Sequence, residues 1–291
     1  MSWRTVVISS RCKLDLKMGY MVARGETIQR VFLDEIAILM IENPAVSMTG
    51  CLLSALVERK IKVIFCDNKH NPQAELVPFY GSHDTSKKIR QQTLWPEDIV
   101  GMVWTVIVTE KIRNQRNLLR DNGKIVESII LGGYIEQVEF QDSTNREGHA
   151  AKVYFNALFG KEFTRSRDIA INAALDYGYA ILLSAFNREV CANGYLTQIG
   201  LHHENAFNQF NLSCDLMEPF RPIIDKAVLE MMPEEMTTEI KRALYNTLNQ
   251  PIFINGQVQT TLNAISIYTK SVFDALNTEN VGCVKFWSYE L

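Results

Sequence analysis

A glutamate stands near the start of a segment with a strong helical pattern. In REGHAAKVYFNALFG, Glu147, Ala151, Tyr154 and Leu158 fall at i, i+4, i+7 and i+11, which places them on one helical face. A carboxylate on a face otherwise suited to burial is costly unless it is paired with a cation or bound to a metal ion. Alternatively, Glu147 only lies in the first turn, where an acidic residue offsets the helix dipole.

A second cluster of candidate ligands lies in GYLTQIGLHHENAFNQFNLSCDLMEPFRPIID. His202 and His203 are adjacent, so they point in different directions in either a helix or a strand, and we expect at most one of them to be a ligand. Asp215 and Glu218 are three residues apart and fall on one side of a helical turn. Two carboxylates and an imidazole are a donor set for a divalent metal ion.

Two prolines make the end of this cluster an unusual place for a routine helix. Pro219 and Pro222 lack amide hydrogens, so in a helix they would free the carbonyl groups of the two acids from their usual partners. The alternative interpretation is that the histidines lie at the surface and that the two acids pair with Arg221 or Lys226. The residues alone leave both interpretations open.

Elements of two kinds must position these residues. Up to residue 80, short β-rich runs alternate with turn residues, which predicts strands in WRTVVIS, CKLDLK, GYMVARG, TIQRVFL, EIAILMI, KVIFCD and AELVPF. One helix interrupts them at SMTGCLLSALVERK, where Ser47 or Thr49 could form the N-cap. We predict an α+β protein with a mostly-β domain at 1–80, a linker or hinge at 81–98, and a larger all-α catalytic domain at 99–291.

The clearest helix of the second part is SRDIAINAALDYGYAILLSAFNREVC, residues 166–191. It is apolar around much of its circumference, which favours a central helix. The aromatic tail VGCVKFWSYEL could pack on the body of the molecule or on another subunit.

Composition sets broad limits on function. The chain of 291 residues is 47% hydrophobic and 22% charged, the balance of a folded protein with a substantial core. Its net charge of -3 neither supports nor excludes DNA binding, which would depend on local clusters of basic residues. The six cysteines are scattered without a C-x-x-C pair, which indicates reduced thiols. With no signal peptide and no apolar run near the roughly 18 to 20 residues that cross a bilayer, we expect a soluble, cytoplasmic protein.

Several common catalytic signatures are absent from the sequence. It contains no G-x-x-x-x-G-K-[ST], G-x-G-x-x-G, G-x-S-x-G or H-E-x-x-H motif. Nucleotide hydrolysis and dinucleotide redox chemistry therefore lose most of their support.

Five ordered segments carry a resemblance to a known family. EKIRNQRNLLR, REGHAAKVYF, RDIAINAALDYGYAILLSAF, GYLTQIGLHH and CDLMEPFRPIID resemble, in order and approximate spacing, the CRISPR-associated adaptation integrase Cas1. FLDEIAILMIE and ERKIKVIFCDN extend the resemblance into the β-rich part. The chain looks most like the form found in type II-A systems.

The resemblance implies a single metal centre. The family's ligands fall on Glu147, on His203 as the third residue after Gly200, and on Glu218, and they would hold Mg²⁺ or Mn²⁺. His202 is the alternative histidine, and Asp215 would support the ligands or cap a helix. Carboxylates suit these hard ions, and one imidazole favours Mn²⁺ without excluding Mg²⁺.

The implied reaction is attack by the 3′-hydroxyl of a short DNA fragment on a phosphodiester at the edge of a CRISPR repeat. Water as the nucleophile would give endonuclease activity. The implied partners are double-stranded DNA, both as fragment and as repeat, a second copy of the chain in a homodimer, and a Cas2 dimer. The type II-A form would add the effector nuclease and the accessory ring protein, and the matching central helix would use Asn172 to position its neighbours.

Without metal, Glu147 and Glu218 should repel each other and raise each other's pKa. We therefore expect that removing either one leaves the metal-free fold equally stable or more stable.

Basic residues form two clusters that could hold the DNA backbone. Arg113, Arg116 and Arg120 fall on one helical face, and TSKKIR adds Lys87, Lys88 and Arg90 in the predicted hinge. An ordinary solvated face is the alternative for each cluster. Two other functions remain open: a metal-dependent hydrolase of small phosphoesters, and a non-catalytic DNA-binding scaffold whose acids only cap helices.

Overall fold

Strands precede helices in the computed structural model, which describes residues 4–76 and 82–289. The N-terminal elements are β1 (Arg4–Ile8), β2 (Lys13–Lys17), β3 (Tyr20–Arg24), β4 (Ile28–Phe32), β5 (Ile36–Ile41), β6 (Ser47–Met48), α1 (Gly50–Glu58), β7 (Lys62–Cys66) and β8 (Pro72–Leu76). The helices that follow are α2 (Thr85–Gln92), α3 (Glu97–Asp121), α4 (Ile125–Ile135), α5 (Arg146–Phe159), α6 (Ala170–Ala192), α7 (Asn211–Met217), α8 (Arg221–Met231), α9 (Thr238–Asn246) and α10 (Thr261–Thr278). The last strands are β9 (Pro251–Ile254), β10 (Gln257–Thr260) and β11 (Trp287–Ser288).

The N-terminal strands form two sheets, ordered β1-β5-β7-β8 and β4-β3-β2-β6. β5 is parallel to both β1 and β7, and all six of its residues are buried. A central strand covered on both faces needs a continuous apolar run, which IAILMI provides. The predicted strands are thus confirmed where they are described, while the end of the AELVPF run at residues 77–79 lies outside the described residues. Of the two candidate caps of α1, Thr49 accepts a hydrogen bond from the Leu52 amide at 3.3 Å.

Each face of the first sheet belongs to a different core. Leu39 and Val63 pack with α1 and the second sheet, whereas Met40 and Ile64 on the opposite face pack with the helices. The hydroxyl of Tyr177, on α6, donates to the sulfur of Met40 at 3.6 Å. The prediction of α6 as a central helix is confirmed, since its buried residues surround much of its circumference.

The segment predicted as a linker, 81–98, contains α2 and the start of α3. The side chain of Gln92 donates to the carbonyl oxygens of Leu196 and Ile199 at 2.9 and 3.1 Å and accepts from the Leu196 amide at 2.9 Å. This segment therefore fixes the loop that leads to His202 and His203. The position of the domain boundary stays a prediction.

A small antiparallel sheet, ordered β10-β9-β11, lies within the C-terminal region. Asn255 and Gly256 have φ angles of 53° and 77° and form the turn between β9 and β10, as a two-residue hairpin requires. The tail packs on the body of this chain, because Trp287 is buried and pairs with Ile254. The α+β fold class is confirmed, with three short strands added to the helical region. Within the described residues, the helices are too short or too polar to span a membrane.

Candidate metal centre

Two caps fix the start of α5 and with it the position of Glu147. The carboxylate of Asp142 accepts hydrogen bonds from the amides of Arg146 and Glu147 at 2.7 and 3.0 Å. The side chain of Asn145 accepts from the Gly148 amide at 3.2 Å. These acceptors satisfy amides that a helix leaves unpaired at its N-terminus. Glu147 does lie in the first turn, as the alternative interpretation required, but its carboxylate also has a partner described below.

The helical face predicted from the spacing is the one that packs inward. Tyr154 and Leu158 are buried in the larger core, and the side chain of Glu147, at the open end of the same face, is 25% exposed. Glu147 therefore stands at the rim of the core.

Glu218 lies where the chain changes from α7 through a single 3-10 turn into α8. The carbonyl of Asp215 accepts from the Glu218 amide, and the carbonyl of Glu218 accepts from the Arg221 amide. The two carbonyls that the prolines would deprive of partners are thus satisfied by the tighter turn. The side chain of Asn114, on α3, donates to the carbonyl of Pro219 at 3.0 Å and fastens this turn to α3.

The two glutamates meet at one cation. The Nζ atom of Lys111, on α3, lies 2.5 Å from Oε1 of Glu147 and also contacts Oε2 of Glu218. The other oxygen of Glu218 accepts from Nε of Arg221 at 2.9 Å. Two residues that are 71 positions apart in the chain thus have carboxylate oxygens in contact with a single nitrogen atom.

For Glu218, this arrangement corrects the expectation that the two glutamates raise each other's pKa. Burial by itself raises the pKa of Glu218, but the charges of Arg221 and Lys111 outweigh burial and lower it. Burial by itself lowers the pKa of Lys111, but the charges of Glu218 and Glu147 raise it above its ordinary value. Glu218 is held ionised because Arg221 and the buried Lys111 neutralise it, which the sequence interpretation did not consider.

His203 is held by Asp215, which is fully buried. Asp215 accepts the amides of Leu201, His202 and His203 at 2.6, 3.0 and 3.2 Å, and it also contacts Nδ1 of His203. A carboxylate can only accept, so Nδ1 carries the proton and the lone pair of the ring lies on Nε2. The hydrogen bond to Asp215 raises the pKa of His203, and the charges of Glu218 and Glu147 act in the same direction.

The two adjacent histidines differ in their surroundings. The ring of His202 stacks on Trp104 with centroids 4.5 Å apart and an interplanar angle of 5°. The ring of His203 meets the edge of Trp104 at 6.0 Å, and its side chain is 41% exposed. The charges of both glutamates raise the pKa of His203, whereas the ring of His202 lies in an aromatic stack.

The donor set fits a hard divalent ion in its chemistry, with two carboxylates facing one position and an imidazole oriented through its Nδ1 hydrogen bond. Among the residues in the described parts of the chain, no three His, Cys, Asp or Glu side chains stand close enough to hold a metal ion as they are placed. The position between Glu147 and Glu218 is instead taken by the Lys111 ammonium.

The predicted basic clusters are partly engaged in ion pairs. Arg113 pairs with Glu110, and Lys88 lies 3.4 Å from Asp84. Arg116 is half-buried, while three other members are exposed: Arg120, Lys87 and Arg90. Asn172, predicted to position its neighbours, donates to the carbonyls of Thr164 and Arg167, both at 2.8 Å. It thereby holds the turn that precedes α6.

Lys111 is the central residue that the sequence interpretation missed. The run EKIRNQRNLLR was assigned to DNA through its arginines, which lie on the outer side of α3. Trp104, Lys111 and Leu118 follow a seven-residue spacing on the opposite side, and all three are buried. Because Lys111 lies at the spacing of these apolar residues, the sequence pattern could have indicated a buried lysine.

Comparison with known proteins decides the family. The family model for the CRISPR associated protein Cas1 matches residues 6–250. A curated relative from Neisseria meningitidis serogroup C (strain 8013), the CRISPR-associated endonuclease Cas1, is 34% identical over 98% of this chain and 96% of its own length. The chain belongs to the Cas1 family.

Solved structures show the same fold at low sequence identity. A casposase bound to an integration product matches with a TM-score of 0.76 and 16% identity, over 96% of this chain and 92% of the casposase chain. A Cas6-RT-Cas1–Cas2 complex matches with a TM-score of 0.74 and 16% identity, over 99% of this chain and 36% of that longer chain. The resemblance inferred from the five motifs is therefore confirmed at the level of the Cas1 family.

The narrower resemblance to the type II-A form is not supported. The relative from Neisseria meningitidis comes from a type II-C system. The expected effector nuclease and accessory ring protein depended on the type II-A form, and they are not carried further.

Proposed function

We propose that this member of the Cas1 family is a metal-dependent DNA integrase, which joins the 3′-hydroxyl ends of short DNA fragments to a CRISPR repeat by transesterification. The observation that carries this proposal is the convergence of Glu147 and Glu218 on one cation position. The charges of the same two glutamates raise the pKa of His203. The casposase with the same fold was captured with an integration product, which supports strand transfer as the reaction class.

Glu147, Glu218 and Nε2 of His203 would hold Mg²⁺ or Mn²⁺. When bound, the ion would offset the negative charge that develops on the phosphate oxygens and would orient the attacking oxygen. The residues of the chain itself orient the ligands and determine from which side a phosphodiester can approach.

Buried groups form the floor of the site, and exposed groups form its rim. Glu218 and Asp215 have side chains that are 4% and 0% exposed, whereas Glu147 and His203 are 25% and 41% exposed. A phosphodiester would therefore approach from the side of Glu147 and His203. Asp215 holds the imidazole with Nδ1 protonated, which leaves the lone pair on Nε2 for a metal ion.

The proposed reaction also requires an assembly that binds DNA at two sites. A fragment with two ends and a repeat with two joining positions require two sites at a fixed separation, which a two-fold assembly supplies. We therefore expect a homodimer that acts with a Cas2 partner, since the complex of the same fold contains Cas2. Arg120, Lys87 and Arg90 are exposed candidates for backbone contacts.

The proposal is tested by strand transfer of a labelled short duplex into a supercoiled plasmid that carries the repeat, with Cas2 and either Mg²⁺ or Mn²⁺. Label should enter the plasmid with wild-type protein, and Glu147→Gln, His203→Ala and Glu218→Gln should each reduce the rate by about 10³-fold, comparable to the loss of a charge-stabilising group. His202→Ala is the matched control and should retain activity. A fragment with 3′-dideoxy ends tests the nucleophile and should give no joined product.

The same preparation separates the competing functions. Turnover of a small phosphodiester without any joining of DNA would replace the integrase with a hydrolase. Equal activity of wild type and Glu218→Gln, or joining of the dideoxy fragment, would overturn the proposed mechanism. A scaffold would bind repeat DNA without turnover of either substrate and without a metal site that is lost in Glu218→Gln.

A further inference from the structure

Lys111 has the contacts of a built-in counter-ion. It lies within α3, and its side chain is 8% exposed. Its ammonium contacts one oxygen of Glu147 and one of Glu218, and the contact with Glu218 lacks the alignment of a hydrogen bond. It is thus held by a hydrogen bond to Glu147 and by the charge of Glu218, and a buried lysine is costly unless it is paired in this way.

A divalent cation cannot share this position with the ammonium. Oε1 of Glu218 is taken by Arg221, so Oε2, which contacts Lys111, is the oxygen left for a metal ion. Like charges a few ångströms apart in a poorly hydrated site repel strongly. The four-carbon side chain of lysine is flexible enough for its ammonium to leave while α3 stays in place.

We propose that the Lys111 ammonium is the resident cation of this site and that a divalent metal ion reaches Glu147 and Glu218 by displacing it. This inference rests on the proposed metal-dependent function, whose ligands it shares. Lys111 keeps the two acids neutralised before the ion arrives, so the site is stable in both states. It also lowers the affinity for metal, because the apparent dissociation constant is the intrinsic constant divided by the fraction of molecules in which Lys111 has left the position.

The inference predicts opposite effects on stability and on metal affinity. Lys111→Met keeps a long unbranched side chain and removes the charge. With chelator present, the variant should unfold at a lower temperature than wild type, since it leaves a buried carboxylate without its partner. Mn²⁺, titrated by calorimetry and followed by the electron paramagnetic resonance of the free ion, should bind at least about tenfold more tightly than to wild type.

Lys62 provides a matched control. It is buried to a similar degree and pairs with Glu75, away from the candidate metal centre. Lys62→Met should also lower the unfolding temperature, but it should leave the affinity for Mn²⁺ unchanged. The comparison separates the loss of a buried ion pair from the loss of a competitor at the metal site.

A second measurement uses wild-type protein and does not depend on the folding of any variant. Acylation of lysines by a succinimidyl ester, mapped by peptide mass spectrometry, should be slow at Lys111 in chelator and should increase severalfold with saturating Mg²⁺. Lys62 should remain protected in both conditions.

The outcomes distinguish this inference from the proposed function. If wild type binds Mn²⁺ and Glu218→Ala does not, then unchanged or weaker binding by Lys111→Met overturns the displacement of Lys111 and leaves the metal centre intact. Labelling of Lys111 that is equal with and without Mg²⁺ does the same. If wild type and Glu218→Ala bind Mn²⁺ equally, the metal centre itself is wrong and the inference falls with it.

Discussion

Replacement of Asp215 by asparagine tests how the chain orients His203. Asp215 is fully buried and accepts from three backbone amides and from Nδ1 of His203. Asparagine keeps one accepting oxygen, which can serve the amides of Leu201 and His202. Its NH₂ group then faces the His203 amide, which is also a donor, and Nδ1, which must now accept.

Two magnitudes follow from this exchange. One buried amide loses its acceptor, which costs about 1–3 kcal/mol of the free energy of unfolding. The imidazole is driven to the tautomer with its proton on Nε2, and this tautomer cannot donate a lone pair to metal from that atom. Loss of a group that orients a ligand typically weakens metal binding about 10- to 100-fold, and we expect Asp215→Asn to weaken Mn²⁺ binding by this amount.

The assay combines urea unfolding in chelator, calorimetric titration with Mn²⁺, and ¹⁵N NMR of the histidine rings to identify the tautomer. His202→Ala is the control, since it removes a ring that stacks on Trp104 and should leave the affinity for Mn²⁺ unchanged. If Asp215→Asn loses stability but keeps both the affinity and the Nδ1-protonated tautomer, then Asp215 only caps the loop. The reasoning about ligand orientation would then be refuted.

Three further substitutions test neighbouring parts of the account. Glu218→Ala should lower the free energy of unfolding in chelator by about 3–5 kcal/mol, because the buried Lys111 and the half-buried Arg221 lose their shared partner; an unfolding curve equal to that of wild type would restore the expectation of repelling acids. Burial raises the pKa of Asp225 from 3.8 to about 6, so the folded state binds this proton more tightly than the unfolded state. The stability that this adds is complete below about pH 4 and is lost as the pH rises through about 6, and urea unfolding between pH 4 and 7 should show about 3 kcal/mol of this loss in wild type but not in Asp225→Asn. Gly200→Ala would place a Cβ atom 2.5 Å from the carbonyl oxygen of His203, and we expect it to cost about 1–3 kcal/mol and to weaken Mn²⁺ binding. Gly133→Ala, whose Cβ would have no neighbour within 4 Å, should do neither, and equal affinities for the two glycine variants would count against the tight loop.

Local patterns in the sequence predicted the helix that carries Glu147 and the central strand of the first sheet. The helical face of Glu147 followed from the spacing of its residues, and Tyr154 on that face is buried. β5 followed from its apolar run, since strand length and composition are local properties. The β9–β10 hairpin was missed although the Asn255-Gly256 pair is a strong turn signal, because its strands are only four residues each and lie among helices.

Contacts between distant segments could not be predicted in the same way. Whether His202 or His203 faces the acids depends on Asp215, which lies 12 residues further along and on a different element. The role of Lys111 depends on the positions of both α5 and the turn at Glu218 relative to α3. A charged run shows which residues are basic, whereas only the packed structure shows which of them is turned inward.

The predicted rise in the pKa of Glu218 was wrong for this same reason. The two acids were considered together because the resemblance to the Cas1 family assigned both of them to one metal ion. The structure adds Lys111 and Arg221, and the sum of the charges then changes the sign of the effect on the pKa of Glu218. Electrostatic signs in buried clusters depend on every charged neighbour.

The most direct test of the central claim is an anomalous-scattering map, collected from crystals of the wild-type protein soaked in Mn²⁺. We predict one strong peak between the carboxylates of Glu147 and Glu218 and next to Nε2 of His203, with the Lys111 ammonium moved away from it. A peak that is bound by His202, or Mn²⁺ found only at other places on the protein while Lys111 still bridges the two glutamates, would contradict the account.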